Sequence, residues 1–177
     1  MNNKFLFIIV CAVTIACSDH NKKPKIEEII NYKQKLVGIN KELVKHFTDS
    51  ISKINKIQRL ELQQSPTGLW YKVYHVGKGD SAKNNKIATV SYKVYLFKGK
   101  LCYSTDTSGP RNLIVGRSGL ESGMEEALKL LRVGDSAIFI LPPHLAYGLL
   151  GDQKKIPRLA IIEYHFTLQG LQDMEFE

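Results

Sequence analysis

From residue 87 to residue 97 the side chains alternate without a break. Ala88, Val90, Tyr92, Val94 and Leu96 fall on one side, and Thr89, Ser91, Lys93 and Tyr95 on the other. A period of two over this length specifies a half-buried β-strand, because successive side chains of a strand point to opposite faces. Residues 160–168 repeat the pattern, with Ile162, Tyr164, Phe166 and Leu168 on the inner side. Residues 136–140 form a short apolar run that reads as a buried strand, stopped by Pro142 and Pro143, which cannot donate to a ladder. Shorter strands are expected over 69–76, 101–104 and 113–115, with a turn at Lys98-Gly99-Lys100.

Only one segment among these strands has helical spacing. Ser122 and Glu125 stand three apart as a capping box, and Ala127, Leu128 and Leu131 supply an inner face before Val133-Gly134-Asp135. One helix against one face of an antiparallel sheet is an α+β architecture.

Upstream, an amphipathic helix is expected over 39–64. Asn40 can cap it, Ile39 and Val44 are placed as a staple, and Leu43, Phe47, Ile51 and Ile54 form an apolar stripe. The stripe packs on its own domain, the default, or pairs with a second copy of the chain. Ser65-Pro66-Thr67-Gly68 is turn chemistry. It marks the start of a domain over 65–171 that is expected to fold without the helix. Residues 17–38 are polar and lysine-rich and read as a flexible tether.

The N-terminus bears on compartment. Lys4 precedes an apolar run, residues 5–15, too short to span a bilayer but of signal-peptide length. Thr14-Ile15-Ala16-Cys17 followed by polar Ser18-Asp19-His20 resembles a bacterial lipoprotein signal. Residues 1–16 are expected to be cleaved and Cys17 lipidated. That places the protein in the cell envelope, with Ser18 favouring the periplasmic side of the outer membrane. Cys11 then leaves with the signal, and Cys102 is the remaining thiol, so no intramolecular disulfide forms in the mature chain. The formal charge of +8 is scattered and contains no groove-reading motif, which argues against a nucleic-acid partner.

The chain has no Ser-His-Asp set, no glycine-rich phosphate loop and no His/Cys pair at metal-ligand spacing, so no cofactor or metal is expected. Its motif regions offer aromatic and aliphatic walls instead. Val90-Ser91-Tyr92 comes first. The segment Leu120-Glu121-Ser122-Gly123-Met124-Glu125-Glu126-Ala127-Leu128 follows, then Val133-Gly134-Asp135. Leu141-Pro142-Pro143-His144-Leu145-Ala146-Tyr147-Gly148 leads a tyrosine out of a proline-stopped strand into a loop, ahead of Ile156-Pro157 and Ile162-Glu163-Tyr164.

Taken in order over residues 66–170, these segments resemble the FKBP-type peptidyl-prolyl cis-trans isomerases. With the lipoprotein signal and the N-terminal helix, the whole is similar to the gliding-motility-associated lipoprotein isomerases of Bacteroidetes-type bacteria. The resemblance implies an FKBP-like antiparallel sheet wrapped on one short helix. It implies rotation of X-Pro bonds in extracytoplasmic proteins, gliding or secretion machinery among them. Proline-containing polypeptides are the implied partners. Tyr92, Tyr147, Tyr164 and the backbone N–H of Glu121 carry over as the catalytic set, with Cys102, Tyr103, Leu120 and Met124 around the substrate.

The departures from the family pattern are local. Cys102-Tyr103 stands where Phe-Asp is usual, Met124 where Trp is usual, and Glu121 in place of an aliphatic. If the Cys102-Tyr103 replacement weakens turnover, Cys102→Phe with Tyr103→Asp raises it. Without the family match, Tyr92 and Tyr164 read as ordinary core residues. Two further readings stay open: a chaperone or assembly module with little or no turnover, and a lipoprotein that uses the domain as a spacer.

Overall fold

The computed structural model describes residues 26–174. The expected signal, the Cys17 lipidation site and residues 17–25 of the expected tether lie outside the described residues. Helix α1 spans Ile26–Gln58, followed by strands β1 (Gln63–Gln64), β2 (Trp70–His75), β3 (Lys86–Leu96), β4 (Leu101–Ser104) and β5 (Arg111–Ile114). Helix α2 (Ser122–Lys129), β6 (Ser136–Leu141), a 3-10 turn (Pro143–Leu145) and β7 (Ile162–Asp173) complete the order. All strand pairs are antiparallel, in the order β1-β2-β6-β7-β3-β4, with β5 also on β3. The α+β expectation holds.

The sheet has two apolar faces. On one, α2 buries Met124, Ala127 and Leu128, with Leu131 just beyond it, against Val90, Val94, Phe139, Tyr164 and Phe166. Ile162, Tyr164, Phe166 and Leu168 are all buried, as their alternation predicted. On the other face lies a smaller cluster of Ile51, Leu62, Trp70 and Ile140, flanked by Ile138 and Ile161. Strand β6 sends Ala137, Phe139 and Leu141 to the first cluster and Ile138 and Ile140 to the second. Apolar cover on both faces explains its unbroken run.

Three local expectations are corrected. Helix α1 begins by Ile26, not near residue 39, so residues 26–38 are helical and not tether. They include two Glu and two Lys, good helix formers, and Glu27 and Glu28 suit the positive end of a helix. Asn40 is therefore mid-helix. The helix ends at Gln58, before the positive φ of Arg59 and Glu61 (50° and 57°), and Gln63–Gln64 pair with β2 as a strand.

The second correction concerns the domain boundary. One compact unit ends at Asn40 and the other is Lys41–Glu177. The first, over the described residues 26–40, is helical with Ile26, Ile29, Ile30, Tyr32, Leu36, Val37 and Ile39 exposed. The second contains Ile51, fully buried in the cluster with Trp70 and Ile140. The Asn55 side chain clasps Leu62, donating to its carbonyl at 3.1 Å and accepting from its N–H at 3.0 Å. The domain thus begins about residue 41, and the turn at 65–68 lies inside it.

Third, Ser122 and Glu125 do not form a capping box. The N-cap position is Glu121, in extended conformation with no side-chain cap bond. The Glu125 carboxylate instead accepts from the N–H of Gly116 at 3.0 Å and from the N–H and hydroxyl of Ser118 at 2.5 and 2.6 Å. These bonds fold the segment before α2 back onto the helix. At Gly123 a Cβ would lie 2.7 Å from Leu141 Cδ2 and 2.8 Å from the Leu145 carbonyl oxygen. Glycine there lets α2 seat directly on the strand exit and 3-10 turn that precede Tyr147.

Candidate active site

A cleft of about 660 Å³ runs over the middle of β3 and β7. Tyr92 comes from β3, Tyr103 from β4, Leu120 from the entry to α2, Tyr147 from the loop after the 3-10 turn, and Tyr164 from β7. Five of the eight expected site residues therefore converge on one space. Rigid strands set three of them, and the Pro142-Pro143 stop sets the exit that aims a fourth.

The tyrosines pack on one another. Tyr164 is 2% exposed, and its ring meets Tyr92 edge-on at 5.9 Å. Tyr92 also stacks on Phe166 at 6.0 Å, and its hydroxyl accepts from Arg111 Nη1 at 2.8 Å. The Tyr164 hydroxyl donates to Glu121 Oε2 at 2.9 Å. Burial first, and then the nearby Glu121 carboxylate, push both the Tyr147 and Tyr164 hydroxyls well above the ordinary tyrosine range. Both are therefore neutral O–H donors at every physiological pH.

The other three expected residues sit differently. Glu121 enters by its carboxylate, which accepts the Tyr164 hydroxyl, as well as by its position at the α2 N-terminus. Its own N–H has no protein acceptor among the described residues. Cys102 and Met124 are in the core (3% and 0% exposed), not on the cleft wall. The Cys102 thiol faces the carbonyls of Lys100 and Lys155, each at 3.7 Å. Met124 packs beneath, with Ala127 and Leu128.

Sequence reasoning missed Asp152, Arg111 and Lys154, which also line the cleft. Asp152 brings a carboxylate to the cleft from the loop after Tyr147. Asp152 Oδ1 accepts the N–H groups of Lys154, Lys155 and Ile156 at 2.9, 3.0 and 2.7 Å, and Oδ2 accepts the Tyr103 hydroxyl. Burial raises its pKa, but the Tyr103 hydroxyl and those backbone donors outweigh burial and hold the carboxyl at about 2. The available signal was Gly151-Asp152 in a polar loop, the composition of a turn whose Asp bonds its own backbone. Among the described residues no group of His, Cys, Asp and Glu is arranged to hold a metal.

The sequence model of one family, FKBP-type peptidyl-prolyl cis-trans isomerase, matches residues 78–169, more than half of the chain. The chain belongs to this family. Within the FKBP-type family, it is 36% identical over 90 residues to FkpA of Escherichia coli K12, covering 51% of this chain and 33% of FkpA. It thus matches about a third of the length of that relative. The crystal structure of AtFKBP13, also of the FKBP type, superposes with a TM-score of 0.60 at 25% identity, covering 63% of this chain and 99% of AtFKBP13. The E. coli FkpA crystal structure gives a TM-score of 0.60 over 97% of this chain and 83% of its own, at 24% identity, a likeness of fold.

Proposed function

We propose that the domain rotates X-Pro peptide bonds of extracytoplasmic proteins in the tyrosine-walled cleft. What supports this most is the convergence of Tyr92, Leu120, Tyr147 and Tyr164 from separate segments on one cleft of an FKBP-type domain. Isomerisation breaks no bond. Its barrier of about 18–20 kcal/mol is lost amide resonance. The twisted amide is less polar than the planar one, so a dry aromatic wall favours it over the solvated ground state. The Tyr147 hydroxyl and the Glu121 N–H are the donors that orient the substrate carbonyl.

The assay is exchange of a proline tetrapeptide by the full chain. Tyr147→Phe removes one orienting hydrogen bond, worth about 0.5–1.5 kcal/mol. It is expected to slow turnover by about tenfold at most, without unfolding the domain. Wild-type protein that binds the peptide and leaves its exchange rate unchanged would instead make this a chaperone module.

Turnover is expected to be flat from pH 5.5 to 8.5. No histidine among the described residues lines the cleft. Asp152 is held at about 2, so its stabilising bonds are complete above its ordinary pKa of about 4 and are lost only as the pH falls through 2. The Tyr103 pKa is raised, chiefly by its hydrogen bond to Asp152. That contribution is complete below the ordinary tyrosine value and is lost only as the pH rises through the raised one. A bell-shaped profile inside the window would rule out a mechanism without proton transfer.

The envelope placement rests on residues 1–17. No helix among the described residues is long and apolar enough to cross a membrane. Lipid on Cys17 is the anchor in this reading, and clients include gliding or secretion machinery. The exposed apolar side chains of residues 26–40 serve pairing with a second copy.

A further inference from the structure

We propose that Tyr103 and Asp152 are positioning residues that latch the Tyr147 loop over the cleft. The inference rests on the isomerase reading of that cleft, but the latch itself is a property of the loop. Most of the loop's bonds are internal. Gly148 N–H donates to the Pro143 carbonyl at 2.8 Å, Gly151 N–H to Tyr147 at 3.2 Å, Leu159 N–H to Gly148 at 3.0 Å and Asp152 N–H to Ile156 at 3.1 Å. These shape the loop without fixing it to the sheet.

The attachment to β4 is made by two side chains from each partner. Tyr103 donates its hydroxyl to Asp152 Oδ2, while Oδ1 of the same carboxylate gathers three backbone N–H groups of the next turn. Lys155 Nζ donates to the Cys102 carbonyl at 2.8 Å and stands 5.0 Å from the centre of the Tyr103 ring. The Cys102 thiol points back at the Lys155 carbonyl. The turn is built to close this tightly: Gly151 has φ +69°, and a Cβ there would fall 2.2 Å from the Ile156 carbonyl oxygen. Tyr103, Asp152 and Tyr147 all face the same cleft. A hydroxyl on β4 therefore sets, through one carboxylate, where the loop holds the Tyr147 donor.

On this view Cys102-Tyr103 is not a damaged Phe-Asp pair. It is half of a matched set whose other half is Asp152 and Lys155. Cys102→Phe with Tyr103→Asp then lowers turnover, because it places a second carboxylate against Asp152.

The test uses the full chain and two readouts. Tyr103→Phe keeps the ring and loses only the hydroxyl. Asp152→Asn keeps an oxygen for the backbone N–H groups and loses the acceptor for Tyr103. In each, amide hydrogen exchange over residues 148–158 is expected to speed up about tenfold, with the rest of the domain unchanged. Each is also expected to cut kcat/KM about fivefold, the scale of one orienting hydrogen bond. In a Tyr147→Phe background the same changes should add almost nothing, since the latch acts through Tyr147. Unchanged exchange in both variants overturns the latch. So does an equal loss of kcat/KM in both backgrounds, which would make Tyr103 a simple wall residue, or a gain from the Phe-Asp pair. A wild-type protein without isomerase activity defeats the function instead, and hydrogen exchange alone then decides the latch.

Discussion

Tyr164→Ala is expected to abolish proline-peptide turnover and to lower stability by about 3–5 kcal/mol, the range for emptying a large aromatic site in a core. Tyr164 is among the largest fully buried side chains, on the central strand β7. Its ring holds the edge of Tyr92, and its hydroxyl holds the Glu121 carboxylate at the start of α2. Removing it opens the cleft floor, frees Tyr92 and releases the α2 entry together. Tyr164→Phe separates these effects. The ring stays and one hydrogen bond goes, so stability should fall by only about 1 kcal/mol and turnover should survive in part. Urea unfolding and the exchange assay on all three proteins check this. An alanine variant with wild-type turnover would remove Tyr164 from the site.

A chain beginning at Ser65 is expected to lose the cooperative thermal transition that a chain beginning at Lys41 keeps. The shorter chain lacks Ile51 and Leu62, half of the buried cluster on that face, and the β1 pairing with β2. It exposes Trp70 and Ile140, which are 6% and 1% exposed in the intact domain. Trp70 Nε1 has no hydrogen-bond partner among the described residues. The single change Ile51→Ala should cost about 2–5 kcal/mol. Equal melting midpoints for the two truncated chains would show that the second half of α1 adds nothing. The solution mass of chains beginning at Ile26 and at Lys41 tests the proposed pairing through residues 26–40.

The strands were legible because burial on one face imprints a period of two on the chain. Residues 87–97 and 160–168 carried that imprint, and the aromatic positions within them led to the cleft. The start of α1 left no such mark. Ile26, Ile29, Ile30, Leu36 and Val37 do recur at helical spacing, but among lysines and glutamates that read as polar tether, and Asn40 passed for a cap. The capping box failed because Glu125 had stronger business with Ser118 and Gly116 than with the helix end. Asp152 was invisible for a different reason. Its partner Tyr103 is 49 positions away, and no spacing rule in a sequence joins a strand to a loop at that distance.

The order of strands also dictates when the protein can fold. The last strand in the chain, β7, lies between β6 and β3 near the middle of the sheet. Until it exists, β2 and β6 form one fragment and β3, β4 and β5 another, with no strand pairing among the described residues to join them. Pairings between such distant parts of a chain are slow to form, since loop closure must precede them. A chain still emerging from a ribosome or a narrow channel therefore stays open until about residue 173 is released. It then closes in one step that creates the sheet and the floor of the cleft together.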